Sequence, residues 1–230
     1  MTTEFALIVA GGKGSRFGSH TPKQFLQLHG RPVLIHTIEA FYRYSDQVRI
    51  VLVLPEAELD TWQGLASRYG LDRVIQVVKG GESRFLSVRN GLAMVPDDSL
   101  VAIHDGVRPL VTTEVISESF RLAAIHGCAV ASVKPKESLR ILDNGGDNQS
   151  ASRAVDRSLY RVIQTPQTFK SDIIRKSYQS MEDVSVTDDA SVAERAGFPI
   201  FLFEGRYDNI KITTPEDLVI AAALADTGSL

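Results

Sequence analysis

The sequence predicts a doubly wound α/β fold built on a mostly parallel, mixed sheet. Three observations carry that prediction. Short apolar, β-branched runs, "FALIVA", "VRIVLVL", "RVIQVV", "LVAIH" and "CAVASV", recur through residues 1–133, and each has the length of a strand buried on both faces. Between them lie segments whose apolar residues repeat at helical spacing. The alternation of the two is what parallel strands joined by crossover helices require.

In chain order, the first run, Phe5 to Ala10, leads directly into a glycine-rich corner. "PVLIHTIEAFYRY", starting at Pro32, puts Leu34, Ile38 and Phe41 on one helical face. "EAELDTWQGLASRYG" ends at Gly70 and "TEVISESFRLAAIHG", capped by Thr113, ends at Gly127; a terminal glycine closes a helix in the left-handed conformation. The alternation then breaks. Residues 134–157 are polar around an Asn144-Gly145-Gly146 turn, which predicts an exposed hairpin of "SLRIL" and "SRAVD". A bare two-stranded hairpin is marginal in water, so this arm is expected to pack on a second subunit. Beyond it come "YRVIQTPQTF", with Thr165-Pro166-Gln167 read as a rigid turn free of direct chemistry, and a helix near 170–180. A helix in "TDDASVAERAG" capped by Thr187, the strand "PIFLFEG", a short strand in "NIKITT" and a terminal helix from Pro215 complete the chain.

A chain of 230 residues, 43% hydrophobic and 23% charged, is expected to form one domain over 1–230 with a full core. The net charge of −3 excludes a general nucleic-acid binder, so any cationic patch is local and aimed at a small anion. The single cysteine, Cys128, excludes an internal disulfide, makes no zinc site by itself and reads as a small buried hydrophobe. The apolar run at the N-terminus follows Glu4 and is too short for a secretory core or a membrane span. The expectation is a soluble, cytoplasmic protein with no membrane partner.

In a doubly wound sheet the ligand sits beyond the carboxyl ends of the strands, against the first loop. That loop reads Ala10-Gly11-Gly12-Lys13-Gly14-Ser15-Arg16-Phe17-Gly18. A dinucleotide fingerprint starting at Gly12 needs glycine or alanine where Phe17 stands, and no glycine precedes Gly12-Lys13 at P-loop distance. Both motifs are rejected. What remains is a corner whose amides approach a triphosphate closely, followed by the cations Arg16 and Lys23; Lys13 reads equally well as a solvated loop lysine. Asp105, ending "LVAIH", is a hard carboxylate at the ligand edge and suits Mg²⁺. His104 beside it reads as a structural histidine, and Arg108 as an anion anchor.

"AGGKGSRFG" followed by "PKQF" resembles the sugar-nucleotide and polyol-phosphate nucleotidyltransferases. "GGESRFLSVRNGL", "HDGVRP", "VDR", "TPQTF", "TDDAS" and "EGRYDNIKITTPEDL" follow in the order seen in the 2-C-methyl-D-erythritol 4-phosphate cytidylyltransferases. The resemblance runs from Ile8 to Leu218. It implies a Rossmann-like nucleotidyltransferase fold with a protruding hairpin arm, a homodimer joined through residues 134–157, and cytidylyl transfer from CTP to a polyol phosphate in the non-mevalonate isoprenoid pathway. Ribitol 5-phosphate cytidylyltransferases share the glycine loop, the PKQF block and the TPQTF block; "TDDAS" and "NIKITTPEDL" lean towards methylerythritol phosphate. A nucleotide-binding regulatory module without catalysis is expected to lack a phosphate-facing cation, yet Arg16, Lys23, Arg157 and Lys211 are all present.

The implied reaction brings two polyanions together, so charge neutralisation and alignment matter more than proton removal. The resemblance implies that Ala10, Gly11, Gly12 and Gly14 wrap CTP, that Gly81 and Ser87, next to Gly80, read the cytosine, and that Arg16, Lys23 and Lys211 are the catalytic cations. It assigns the acceptor to Asp105, Arg108, Ser138, Arg157, Thr187 and Lys211, with Asp105 holding a divalent cation such as Mg²⁺. The family's arm commonly carries Asp-Thr where this chain has Glu137-Ser138, so the hydroxyl is kept without its methyl.

Overall fold

A computed structural model describes residues 2–11, 21–71, 75–143, 151–182 and 186–226. The strands are β1 Thr3–Val9, β2 Gln27–Leu28, β3 Arg31–Pro32, β4 Arg49–Leu54, β5 Ile75–Lys79, β6 Ser99–Asp105, β7 Cys128–Val133, β8 Arg140–Leu142, β9 Ser152–Ala154, β10 Val162–Lys170 and β11 Leu202–Glu204. The helices are α1 Val33–Tyr44, α2 Leu59–Tyr69, α3 Arg84–Leu92, α4 Thr113–His126, α5 Ser171–Gln179, α6 Asp189–Arg195 and α7 Pro215–Leu224. Among the described residues no helix is long and apolar enough to cross a membrane.

Seven strands form one sheet in the order β11-β7-β10-β6-β1-β4-β5. All neighbours are parallel except β10, which runs antiparallel between β6 and β7. The chain steps outward from β1 to β4 and β5, then returns to lay β6 on the other side of β1. That reversal opens a crevice at the carboxyl ends of β1 and β6, where Val9 stands level with Asp105 and the Gly106 N–H donates to the Val9 carbonyl at 2.9 Å.

Alternation along β1 explains the two-layered packing. Ala6, Ile8 and Ala10 join Leu34, Ile38, Phe41, Trp62 and Phe120 of α1, α2 and α4. Phe5, Leu7 and Val9 point to the opposite face, against Phe85, Val88, Ile174 and Val192 of α3, α5 and α6. The near-continuous apolar runs are thus the consequence of helices on both faces. A smaller cluster of Leu28, Val33, Leu110, Ile212 and Ala221 seats α7.

Gly70 and Gly127 close α2 and α4 at φ 69° and 86°, as predicted. The structure corrects four expectations. Thr112, not Thr113, holds the N-cap position of α4. Thr165-Pro166-Gln167 is no turn: it lies inside β10 as a register shift between Ile163 and Gln167, which the missing proline N–H makes natural. The segment Asn209 to Thr214 forms no strand; the Ile212 N–H donates to the Val107 carbonyl at 2.9 Å. Finally, Asp188 rather than Thr187 caps α6, accepting from the Ser191 N–H at 3.1 Å.

The predicted hairpin is present as β8 paired with β9, antiparallel and separate from the main sheet. Its strand residues are mostly exposed. The Asn144-Gly145-Gly146 turn lies outside the described residues.

Candidate active site

At the crevice a cavity of about 870 Å³ is lined by Ala10, Gly11, Lys23, Gly80, Gly81, Ser87, Asp105 and Lys211. Eight sequence-predicted positions therefore converge on one space, from the end of β1, the β5–α3 loop and α3, the end of β6, the Lys23–Phe25 turn and the segment before α7. Gly12, Lys13, Gly14 and Arg16 lie outside the described residues.

The loop after β5 is held by its own short helix. The Ser83 hydroxyl caps α3 by accepting from the Leu86 N–H at 3.1 Å. Ser87, one turn in, accepts from the Gly81 N–H at 3.1 Å and donates to the Gly81 carbonyl at 3.4 Å. The two residues implied as cytosine readers are thus bonded to each other. The weaker of their bonds leaves the hydroxyl able to exchange towards a ligand. A Cβ on Gly81 would lie 2.3 Å from the Leu86 Cβ, so only glycine lets the loop fold this closely onto α3.

Charge is concentrated around Asp105. Its Oδ2 meets the Lys211 ammonium at 3.1 Å and the Arg108 Nε at 3.2 Å. Burial alone would raise the Asp105 carboxyl, but the Lys211 ammonium, then the Arg108 and Arg84 guanidiniums, outweigh it and hold the group well below the usual carboxylate range. Arg108 is itself buried and donates from Nη1 to the Asn209 carbonyl at 2.7 Å.

His104 proves structural, as its sequence position suggested. The ring is fully buried; Nδ1 lies 3.0 Å from the Thr165 hydroxyl and Nε2 lies 3.3 Å from the Arg108 carbonyl. The Arg108 carbonyl can only accept, so Nε2 is the donor to it, and in the neutral ring Nδ1 accepts from the Thr165 hydroxyl, whose oxygen also accepts the Asp105 N–H at 3.1 Å. Burial, only partly opposed by the Asp105 charge, lowers the imidazole to about 4. A neutral ring with both nitrogens engaged tethers β6 to β10 and is no general base.

Beside this cavity lies a second, of about 340 Å³, lined by Arg84, Asp105, Arg108, Thr165, Gln167, Thr187 and Lys211 among others. Thr187 reaches it from the α6 entry, where the helix start is already taken by protein groups. Asp188 caps the helix, and Gln167 accepts the Ala190 N–H at 2.8 Å while donating to Asp188 at 3.1 Å. A third hollow of about 320 Å³ is bounded by Arg108, Lys134, Lys136, Tyr207 and Lys211. Lys211 borders all three.

Ser138 and Arg157 are not brought to these cavities. Both are exposed on the arm, where the Arg157 Nη1 donates to the Lys136 carbonyl at 2.5 Å.

Three contributors escaped the sequence reading. Arg84 forms a bidentate pair with Asp189, at 2.8 and 2.7 Å, across 105 residues. Gln24 lines the large cavity with a buried amide whose oxygen and nitrogen both lack a hydrogen-bond partner among the described residues. Gln167 organises α6. Arg84 and Asp189 both stand in quoted blocks, "GGESRF" and "TDDAS", but no local pattern announces that they meet.

Comparison with known proteins places this geometry. The family model for 2-C-methyl-D-erythritol 4-phosphate cytidylyltransferase matches residues 5–226. The chain is 50% identical over 222 residues to a protein of that name from Porphyromonas gingivalis, covering 96% of each. It is 46% identical over 219 residues to one from Bacteroides fragilis, covering 95% of this chain and 98% of that one. Among solved structures, it is similar to 4-diphosphocytidyl-2C-methyl-D-erythritol synthase from Anaerococcus prevotii, with a TM-score of 0.82, 28% identity and coverage of 98% and 96%. It is also similar to the cytidylyltransferase from Thermus thermophilus, with a TM-score of 0.75, 29% identity and coverage of 96% and 98%.

Proposed function

The chain belongs to the 2-C-methyl-D-erythritol 4-phosphate cytidylyltransferase family, and on that premise we propose how its residues perform the reaction. The enzyme transfers the cytidylyl group of CTP to 2-C-methyl-D-erythritol 4-phosphate, releasing pyrophosphate, in isoprenoid biosynthesis. An acceptor phosphate oxygen attacks the α-phosphorus, and the bond to the β-phosphate oxygen breaks. No proton need be removed from a phosphate dianion, which suits a cleft rich in cations whose histidine is locked neutral.

CTP occupies the large cavity, its base against the Gly81–Ser87 loop and its triphosphate along Gly11 and Lys23, with Arg16 assigned to the same phosphates from the resemblance. The acceptor lies in the adjoining cavity by Thr187. Lys211 borders both spaces and balances the charge that accumulates as phosphorus becomes five-coordinate. The observation that carries this reading is Lys211 and Arg108 pinned on the Asp105 carboxylate at the switch point, so that the cations are fixed before either substrate arrives.

Mg²⁺ fits the donor set. Asp105 is ionised, and the large cavity also has Glu56 and Glu82 in its wall. Among the described residues no three metal-ligating side chains gather, which suits an ion that takes one or two carboxylates and completes its shell with phosphate oxygens and water. Asp105 is the residue we assign to hold it, and when bound the ion would supply charge neutralisation on the triphosphate.

The arm joins two copies in a homodimer. Ile141 and Leu142 on it, and Leu159, Tyr160 and Val162 just beyond it, are exposed, and Arg157 and Ser138 stand clear of the cavities described in their own chain, placed to serve the neighbour's acceptor site. The unpaired Cys128 suits the reducing cytoplasm, where we place the reaction.

A pyrophosphate-release assay with CTP tests the acceptor. Release is expected with 2-C-methyl-D-erythritol 4-phosphate and not with ribitol 5-phosphate; turnover with ribitol 5-phosphate alone would overturn the assignment.

A further inference from the structure

The two cavities share three residues among those described: Asp105, Lys211 and Arg84. The first two already have roles in the reading above, on which this inference rests; Arg84 has none. It opens α3, directly after the Ser83 cap, so its backbone belongs to the base-reading loop while its side chain crosses to the α6 entry. There Nη1 and Nη2 donate to the two oxygens of Asp189 at 2.8 and 2.7 Å. Asp189 is fully buried, and the Tyr178 hydroxyl donates to it at 2.6 Å. Both oxygens of the carboxylate are therefore engaged, and the guanidinium plane is fixed with it.

A guanidinium carries five N–H groups, of which a bidentate pair uses two. The Arg84 side chain is 26% exposed, and it borders both cavities. Its charge is also felt at Asp105, which places it among the groups that surround the reacting phosphates. A purely structural ion pair would gain nothing from standing where two substrate spaces meet.

We propose that Arg84 is a further catalytic residue, the guanidinium at the junction of the two cavities that donates its remaining N–H groups to the phosphates as they react, preset by Asp189. Arginine suits this place better than lysine because one planar fork serves the carboxylate on one edge and phosphate oxygens on the other.

The test must separate this role from support of Asp189. Replacing Arg84 alone would strand a buried carboxylate, so the informative protein is the Arg84→Met, Asp189→Asn double variant, in which the amide keeps an acceptor for Tyr178. Thermal melting, CTP binding by calorimetry, and kcat and KM for both substrates are measured beside the wild type. We expect a melt close to wild type and kcat reduced by about 100-fold, on the scale of losing one transition-state donor, with partial recovery on adding millimolar guanidinium ion. A folded double variant with wild-type kcat overturns the proposal. Should the double variant not fold, Arg84→Lys decides: it keeps a charge for Asp189 but not the fork, and a kcat within twofold of wild type overturns the proposal, whereas a fall of tenfold or more supports it. Wild-type turnover is the control: its absence would condemn the reaction assigned above, whereas turnover that survives loss of the guanidinium condemns Arg84.

Discussion

The crevice at the end of β1 and β6 and the β8–β9 arm both carry cations assigned to substrate phosphates, yet they are built in opposite ways. In the crevice the charges around Asp105 and Asp189 are held by fixed partners. Asp105 takes Lys211 and Arg108, Arg108 takes the Asn209 carbonyl, and Arg84 takes Asp189. On the arm, Arg157 is exposed and bonds to one backbone carbonyl, while Leu159 beside it is 81% exposed. The first arrangement is complete within one chain and spends no reorganisation when substrate binds. The second has apolar surface and charge waiting for another surface, which is what an intersubunit contact supplies.

Breaking the crevice should have the largest effect. In Asp105→Asn the amide keeps the shape but no longer neutralises Lys211 and Arg108, and it removes the carboxylate assigned to the divalent ion. Loss of one member of a buried ion cluster costs about 3–5 kcal/mol, visible as a lowered melting temperature. We expect kcat to fall by about 10³-fold, the upper range for a lost electrostatic contact. A kcat within tenfold of wild type would show that the cations hold their places without Asp105.

How far this division could be read in the sequence follows from how local each feature is. The strand runs, the helix-closing glycines and the arm were legible because they are written in consecutive residues. The place of Asp105 at the crevice was legible because it ends a buried strand. Thr165-Pro166-Gln167 was misread as a turn: its composition is that of a turn, and only pairing with both β6 and β7 makes it a strand with a bulge. The α6 cap was misplaced by one residue because Thr187 and Asp188 are both good caps, and Gln167, supplied from 21 residues away, settles which is used. The Arg84–Asp189 pair joins positions 105 residues apart, and one chain alone offers no signal for such a meeting.

Breaking the arm should have a smaller and more selective effect. Leu159→Glu places a charge on the exposed apolar side chain at its base, away from the three cavities described. In sedimentation the wild type is expected to run as a dimer and the variant to shift towards monomer. CTP binding by calorimetry should stay as in wild type, while KM for the acceptor rises by about tenfold or more, since one lost charged contact is worth at least ~1.4 kcal/mol. Monomers with an unaltered acceptor KM would mean that the crevice needs nothing from a neighbour.

The smallest effect sharpens the comparison from inside the crevice. Gln24 is, with the Gln164 Oε1 and the Asn209 Oδ1, among the buried polar groups there that lack a partner among the described residues: the side chain is 1% exposed, borders the large cavity and has neither amide atom bonded. An amide buried without partners costs about 1–3 kcal/mol, a cost tolerated where a ligand later makes the bond. Gln24→Met keeps the length and removes the polar atoms. The melting temperature of the ligand-free protein should therefore rise by about 2–4 °C, the shift that ~1 kcal/mol produces in a chain of this size. CTP affinity should fall in the same variant, by up to about tenfold. A melt that does not rise would mean the amide is satisfied in solution. A rise without loss of CTP affinity would mean that nucleotide recognition rests on the loop backbone and the fixed charges alone.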